Sequence, residues 1–180
     1  FSDPLALKAI QMIFDYLPAS YDGDAAARGK MHVAQCLAGM AFSNALLGIA
    51  HSLAHKVGAQ YEIPHGCCNA ILLPNVVRYN AKACAARYAD IARALNLPGT
   101  TDEELVAAYV AAVEELNRRL DIAPTFREHG VSEEKFESTL DFVATQAFGD
   151  PCTGSNPRQT SPEDLKKILR CCYEGKKVDF

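Results

Sequence analysis

A chain of 180 residues has the length of one ordinary domain and is long enough to bury its own core. With 49% apolar and 22% charged residues it has the balance of a folded globular protein. A net charge of −4 and the lack of any basic stripe exclude nucleic acid as a partner.

Asp3-Pro4 reads as a helix start, an acidic N-cap followed by proline at the first helical position. Leu5, Ile10, Ile13 and Leu17 then recur at near-helical spacing, and Pro18 is expected to end the helix. After a polar loop from Tyr21 to Asp24, a second helix opens near Ala25 and reads through to about Gly48. At 1.5 Å per residue that is roughly 36 Å, enough to cross the whole domain. Cys36 to Ala54 holds no Lys, Arg, Asp or Glu, but Gly39, Ser43, Asn44, Gly48, His51 and Ser52 interrupt it. Its hydrophobicity is modest for a membrane span, and it reads as a buried central helix.

His51 to Val57 continues as helix, either the same one or one kinked near Gly48, and Gly58 to Pro64 connects. His65-Gly66 opens the next helix, which Pro74 is expected to kink. A short amphipathic helix runs from Ala83 to Leu95, closed by Asn96-Leu97-Pro98-Gly99. Thr101 with Glu104 forms a capping box for a surface helix to about Leu120. Ser132 caps a helix through about Gln146. The loop GDPCTGSNPRQT follows, and Ser161-Pro162-Glu163-Asp164 starts a last helix ending near Gly175. No stretch alternates with period two and none repeats. The expected fold is all-α, a bundle-like single domain over residues 1–180 with seven or eight helices.

Three of the five histidines, His51, His55 and His65, fall within fifteen residues of apolar, small-residue sequence. On a helix, His51 and His55 share a face with Cβ atoms roughly 5–6 Å apart. His65, between Pro64 and Gly66, sits where a turn would fold the chain back toward them. A lone histidine on an apolar helix is most often a hydrogen-bonded core residue. Three in such company suggest a metal site, for which imidazole is a common ligand. His65 would lie at a helix N-terminus, whose dipole disfavours imidazolium and leaves the neutral, ligating form. His32 and His129 stand alone and read as structural or exposed. A zinc hydrolase using all three histidines is disfavoured, because Ser52, Leu53 and Ala54 between His51 and His55 supply no catalytic glutamate.

The seven cysteines include the adjacent pairs Cys67-Cys68 and Cys171-Cys172 and no CxxC spacing. With no signal peptide in view, reduced thiols in the cytoplasm are expected. Adjacent Cys67 and Cys68 suit one tetrahedral ion poorly and read as packing residues. The TGSNPR segment reads as a connector with a turn at Asn156-Pro157.

The run GMAFSNALLGIAHSLAHKVGAQYEIPHGCCNAILLP resembles the signature of the iron-containing, or group III, alcohol dehydrogenases. LPASYDGD near the start and FGDPCTGSNPR near the end are similar to the alcohol dehydrogenase half of bifunctional aldehyde–alcohol dehydrogenases. The resemblance implies the helical C-terminal domain of an enzyme whose absent N-terminal domain binds most of the NAD or NADP. It implies His51 and His65 as ligands of Fe²⁺ or Zn²⁺, whereas spacing alone would pair His51 with His55. It places His55 beside the nicotinamide, in a catalytic proton-handling role, and Phe42 near a small alcohol or aldehyde substrate. The family's two other ligands, an aspartate and a histidine four residues later, have no counterpart here, and neither has its glycine-rich phosphate loop.

The chain opens at Phe1 without methionine, as expected of a piece of a larger protein, inactive alone and homo-oligomeric when whole. No membrane partner is expected. The alternative reading is a helical assembly module without catalysis of its own.

Overall fold

Seven α-helices and one 3-10 turn, with no strand, make up the computed structural model, which describes residues 1–180. The all-α expectation holds. Helices α1 (Ser2–Tyr21) and α2 (Ala25–Ala45) form a hairpin about a turn in which the Asp24 side chain accepts from the Ala27 amide at 2.9 Å. Two expectations for α1 are corrected. Asp3 lies inside the first turn, and its carboxylate takes Arg87 at 2.7 Å instead of capping. Pro18 lies within the helix; its ring removes one donor, yet packing against α2 carries the helix on to Tyr21.

Of the two readings for His51 to Val57, a continuation of the second helix or a helix kinked near Gly48, the structure takes the second. Leu46, at φ 66° and ψ −175°, breaks the path, and α3 (Ile49–Tyr61) leaves at 110° to α2. The buried central helix is α3, whereas α2 packs chiefly on α1 and leaves Val33, Met40 and Phe42 exposed. The physical reason is area. The buried residues of α2 are Ala27, Ala34 and Ala41, which remove little surface from water, whereas α3 offers Ile49, Leu53 and Val57 at every fourth position. No single helix is long and apolar enough to cross a membrane.

Helix α4 (His65–Ala94) is about 45 Å long at 1.5 Å per residue. Its backbone leaves helical dihedrals at Cys84 (φ −143°, ψ 41°) rather than at Pro74, and the Cys84 thiol donates to the Asn80 carbonyl at 3.3 Å. The expected short helix after Ala83 is thus the far limb of α4. Helix α5 (Asp102–Arg119) starts on the Thr101–Glu104 capping box. Helix α6 (Glu133–Phe148) starts on Ser132. Helix α7 (Pro162–Glu174) starts on a Ser161–Asp164 capping box and stops at left-handed Gly175 (φ 74°).

The main core gathers around α3. Its apolar stripe meets Leu72 and Tyr79 of α4, Phe136 and Val143 of α6, and Leu165 and Ile168 of α7. A second core joins the far limb of α4 to α5 through Ala89, Ala92, Leu105 and Tyr109, with Phe14 of α1 packed on it. One face of α3 is therefore fixed by three other helices, and the remaining face is free to carry chemistry.

Candidate metal centre

Helix α3 ends at Glu62, which takes the left-handed conformation (φ 59°, ψ 36°), and Pro64 then reverses the chain. His65, the first residue of α4, returns to the face of α3 that carries His51 and His55. Ring centroids lie 5.3 Å apart for His51–His65, 5.4 Å for His55–His65 and 6.1 Å for His51–His55. Two imidazoles bound to one tetrahedral ion at about 2.0–2.1 Å have ring centres roughly 5–6 Å apart, the separation found for His65 with either partner.

His51 is half-buried. Burial, and after it the neighbouring His65 and His55, hold it below its ordinary pKa, in the neutral form a metal needs. His55 and His65 are exposed, so the cluster opens on one side to solvent. The His65 Nε2 lone pair accepts from the Asn69 amide at 3.0 Å, and Asn69 Oδ1 is left buried without a partner. A cation would take over that lone pair from the amide, which is how the donor set fits a metal. Cys68 is fully buried, its thiol faces the Ile63 carbonyl at 3.6 Å, and burial pushes its pKa up to about 11. Cys67 packs against the main core. All seven cysteines are free.

His55 Nδ1 lies 3.1 Å from Asp150 Oδ2, and Lys56 Nζ lies 3.0 Å from the same oxygen. Asp150 is 8% exposed, and its Oδ1 accepts from the Cys152 amide at 3.0 Å, capping the 3-10 turn Pro151–Ser155. Donor atoms of His55, Asp150 and Cys152 fall within 4.8 Å of one another, a set with metal-like spacing. The Lys56 ammonium, however, already supplies the positive charge that this carboxylate would offer a cation.

The loop from Gly149 to Arg158 does more than the expected turn. Asn156 has an extended backbone (φ −67°, ψ 135°), and its side chain binds at several points. Its Oδ1 accepts from the Ile49 amide at 3.3 Å and from Asn80 Nδ2 at 3.0 Å, and its Nδ2 donates to Asn80 Oδ1 at 2.8 Å. Ser52 and Thr153 hydroxyls meet at 2.8 Å, and the Ser155 hydroxyl donates to the Leu47 carbonyl. This loop therefore seats the first turn of α3, from which His51 and His55 project. Phe42 lies on the last turn of α2, before the break, with its side chain exposed.

Sequence reading missed Asp150, Lys56, Asn69 and Asn156. Asn69 and Lys56 had a signal in their helical spacing from His65 and in adjacency to His55. Asp150 stands 95 residues from its histidine, and Gly-Asp-Pro reads only as a cap.

Residues 1–173 match the model of the Fe-containing alcohol dehydrogenase family, C-terminal. The chain is 54% identical over its full length to an NADPH-dependent butanol dehydrogenase of Clostridium saccharobutylicum, covering 46% of that protein. It is 42% identical over 98% of its length to an aldehyde-alcohol dehydrogenase of Streptococcus pneumoniae, covering 22% of it. Among solved structures, a 1,3-propanediol oxidoreductase superposes with a TM-score of 0.89 at 34% identity, over 96% of this chain and 45% of that one. The chain thus spans less than half the length of these relatives, and the likeness extends to single-activity and bifunctional enzymes alike. Its helices, its histidine cluster and these matches agree: the chain belongs to the Fe-containing alcohol dehydrogenase family, as the family's helical C-terminal region.

Proposed function

We propose that this chain is the metal-holding half of an NAD(P)-linked dehydrogenase that interconverts a small alcohol and its aldehyde. The observation that supports the reading is the approach of the His51 and His65 rings to 5.3 Å, the spacing of two ligands on one ion, in a chain of this family. His51 and His65 hold the divalent ion, Fe²⁺ or Zn²⁺, and the other half of the enzyme supplies the remaining ligands. When bound, the ion supplies Lewis-acid polarisation of the substrate oxygen. His55 orients the nicotinamide and carries the proton, and Phe42 borders the substrate. NAD or NADP is bound mainly by the N-terminal domain. The whole enzyme is a cytoplasmic homo-oligomer, and the chain alone is inactive.

The test joins this chain to the nucleotide-binding half of a relative and measures metal content beside turnover. His51→Ala and His65→Ala remove ligands, so metal and turnover fall together. His55→Ala keeps its metal, while turnover drops about 10²–10⁴-fold, the usual contribution of a positioned proton-transfer group. Loss of metal from His55→Ala with retention in His51→Ala would overturn the ligand assignment.

The second reading, an assembly module, draws on the exposed Val33, Met40, Phe42 and Leu46 around the end of α2. It expects the chain alone to self-associate in sedimentation, and Met40→Lys with Leu46→Lys to abolish this. A monomer at all concentrations removes it.

A further inference from the structure

We infer that Asp150 is a positioning residue for His55: it fixes the imidazole as the Nδ1–H tautomer and so leaves Nε2 as its one proton-accepting atom. Asp150 is buried while His55 is exposed, so the protein holds the acid and the acid holds the ring. Both oxygens are engaged, Oδ1 by the Cys152 amide at 3.0 Å and Oδ2 by Lys56 Nζ at 3.0 Å and His55 Nδ1 at 3.1 Å. Burial pushes the Asp150 pKa up, but hydrogen bonds from the Cys152 amide, Lys56 and His55 outweigh it and hold the acid well below the usual carboxylate range. An ionised carboxylate only accepts hydrogen bonds. The proton between the two residues therefore belongs to Nδ1. A neutral imidazole has one donor and one acceptor nitrogen, which leaves the lone pair on Nε2.

A second contact fixes the plane of the ring. His55 and His65 stack at 5.4 Å with 18° between their planes, so carboxylate and neighbouring ring together set where Nε2 points. The pattern, a buried carboxylate behind a histidine whose far nitrogen does the work, recurs wherever a tautomer must be held. It rests on the dehydrogenase reading only for the use made of Nε2.

Long-range ¹H–¹⁵N spectra of the full chain, ¹⁵N-labelled at histidine and recorded where the imidazoles are neutral, read the tautomer directly. Rings are assigned with single His→Gln variants. His55 should show a protonated-type shift on Nδ1 and an unprotonated-type shift on Nε2. In Asp150→Ala both acceptor oxygens are gone, so Nδ1 loses its partner and the ring proton moves to Nε2, with the His51 and His65 shifts unchanged. Lys56→Gln, which keeps the carboxylate, should retain Nδ1–H and covers the case in which Asp150→Ala fails to fold.

An Nε2–H tautomer in the unmodified chain would overturn the inference, as would an Nδ1–H tautomer that survives Asp150→Ala. So would movement of all three histidines together, which would mean that Asp150 acts on the fold of the loop. No metal or nucleotide enters this measurement. An Nδ1–H His55 in a protein whose His51→Ala variant keeps its metal would sink the ligand assignment and leave this inference standing.

Discussion

At Gly48 a methyl group would stand 2.9 Å from Asn156 Oδ1, inside the distance real side chains keep. That oxygen is held by Ile49 N and Asn80 Nδ2 and has nowhere to retreat. Gly48→Ala should destabilise the chain by about 1–3 kcal/mol, the usual cost of overpacking, read from urea unfolding. In an Asn156→Ala background the same change should cost much less, because the clash partner is gone, so the two substitutions are non-additive. Additive costs would show that Asn156 does not constrain Gly48. Contacts of this kind were illegible in the sequence for a physical reason. Gly48 and Asn156, like His55 and Asp150, are joined by side chains from distant parts of the chain, and no local spacing records such a pair. The three histidines were legible because a helix and a reversal bring near neighbours together.

Three helix starts with a side-chain signature were read correctly, since a cap is a contact over three residues: Thr101 with Glu104, Ser132 with Lys135, Ser161 with Asp164; Asp3, whose carboxylate pairs with Arg87, was the exception. Helix ends and bends were read less well. Pro18 was expected to end its helix and Pro74 to kink its own, but each forfeits only one backbone bond and lies buried within a helix held by its neighbours. The 110° bend between α2 and α3 falls on a leucine, a residue type with no preference for positive φ. Leu46 sits in a region populated almost only by glycine, which costs about 1–3 kcal/mol. Its side chain is 65% exposed and returns little by burial. Leu46→Gly should therefore stabilise the chain, the relief exceeding the roughly 1 kcal/mol lost to greater freedom in the unfolded state. A lower urea midpoint for Leu46→Gly would show that the leucine is held by packing.

At the scale of the whole molecule, the proposed assignment gives these 180 residues two of four metal ligands, and their sequence holds no glycine-rich phosphate loop. The chain alone should show no saturable binding of NADH or NADPH by fluorescence, and only weak, partial binding of Zn²⁺ or anaerobic Fe²⁺ by calorimetry. A micromolar dissociation constant for nucleotide would place the cofactor site here after all. The loop that seats α3 also bears on how such enzymes can be recombined. The rings lie between residues 51 and 65, while the groups that aim and anchor them, Asp150, Thr153 and Asn156, lie some hundred residues later. A chimera that crosses over between two relatives at the α4–α5 loop would take its histidines from one parent and their supports from the other. The histidine stretch is therefore not a portable cassette, and only grafts that carry residues 48–65 and 149–158 as one inheritance should keep the rings in register.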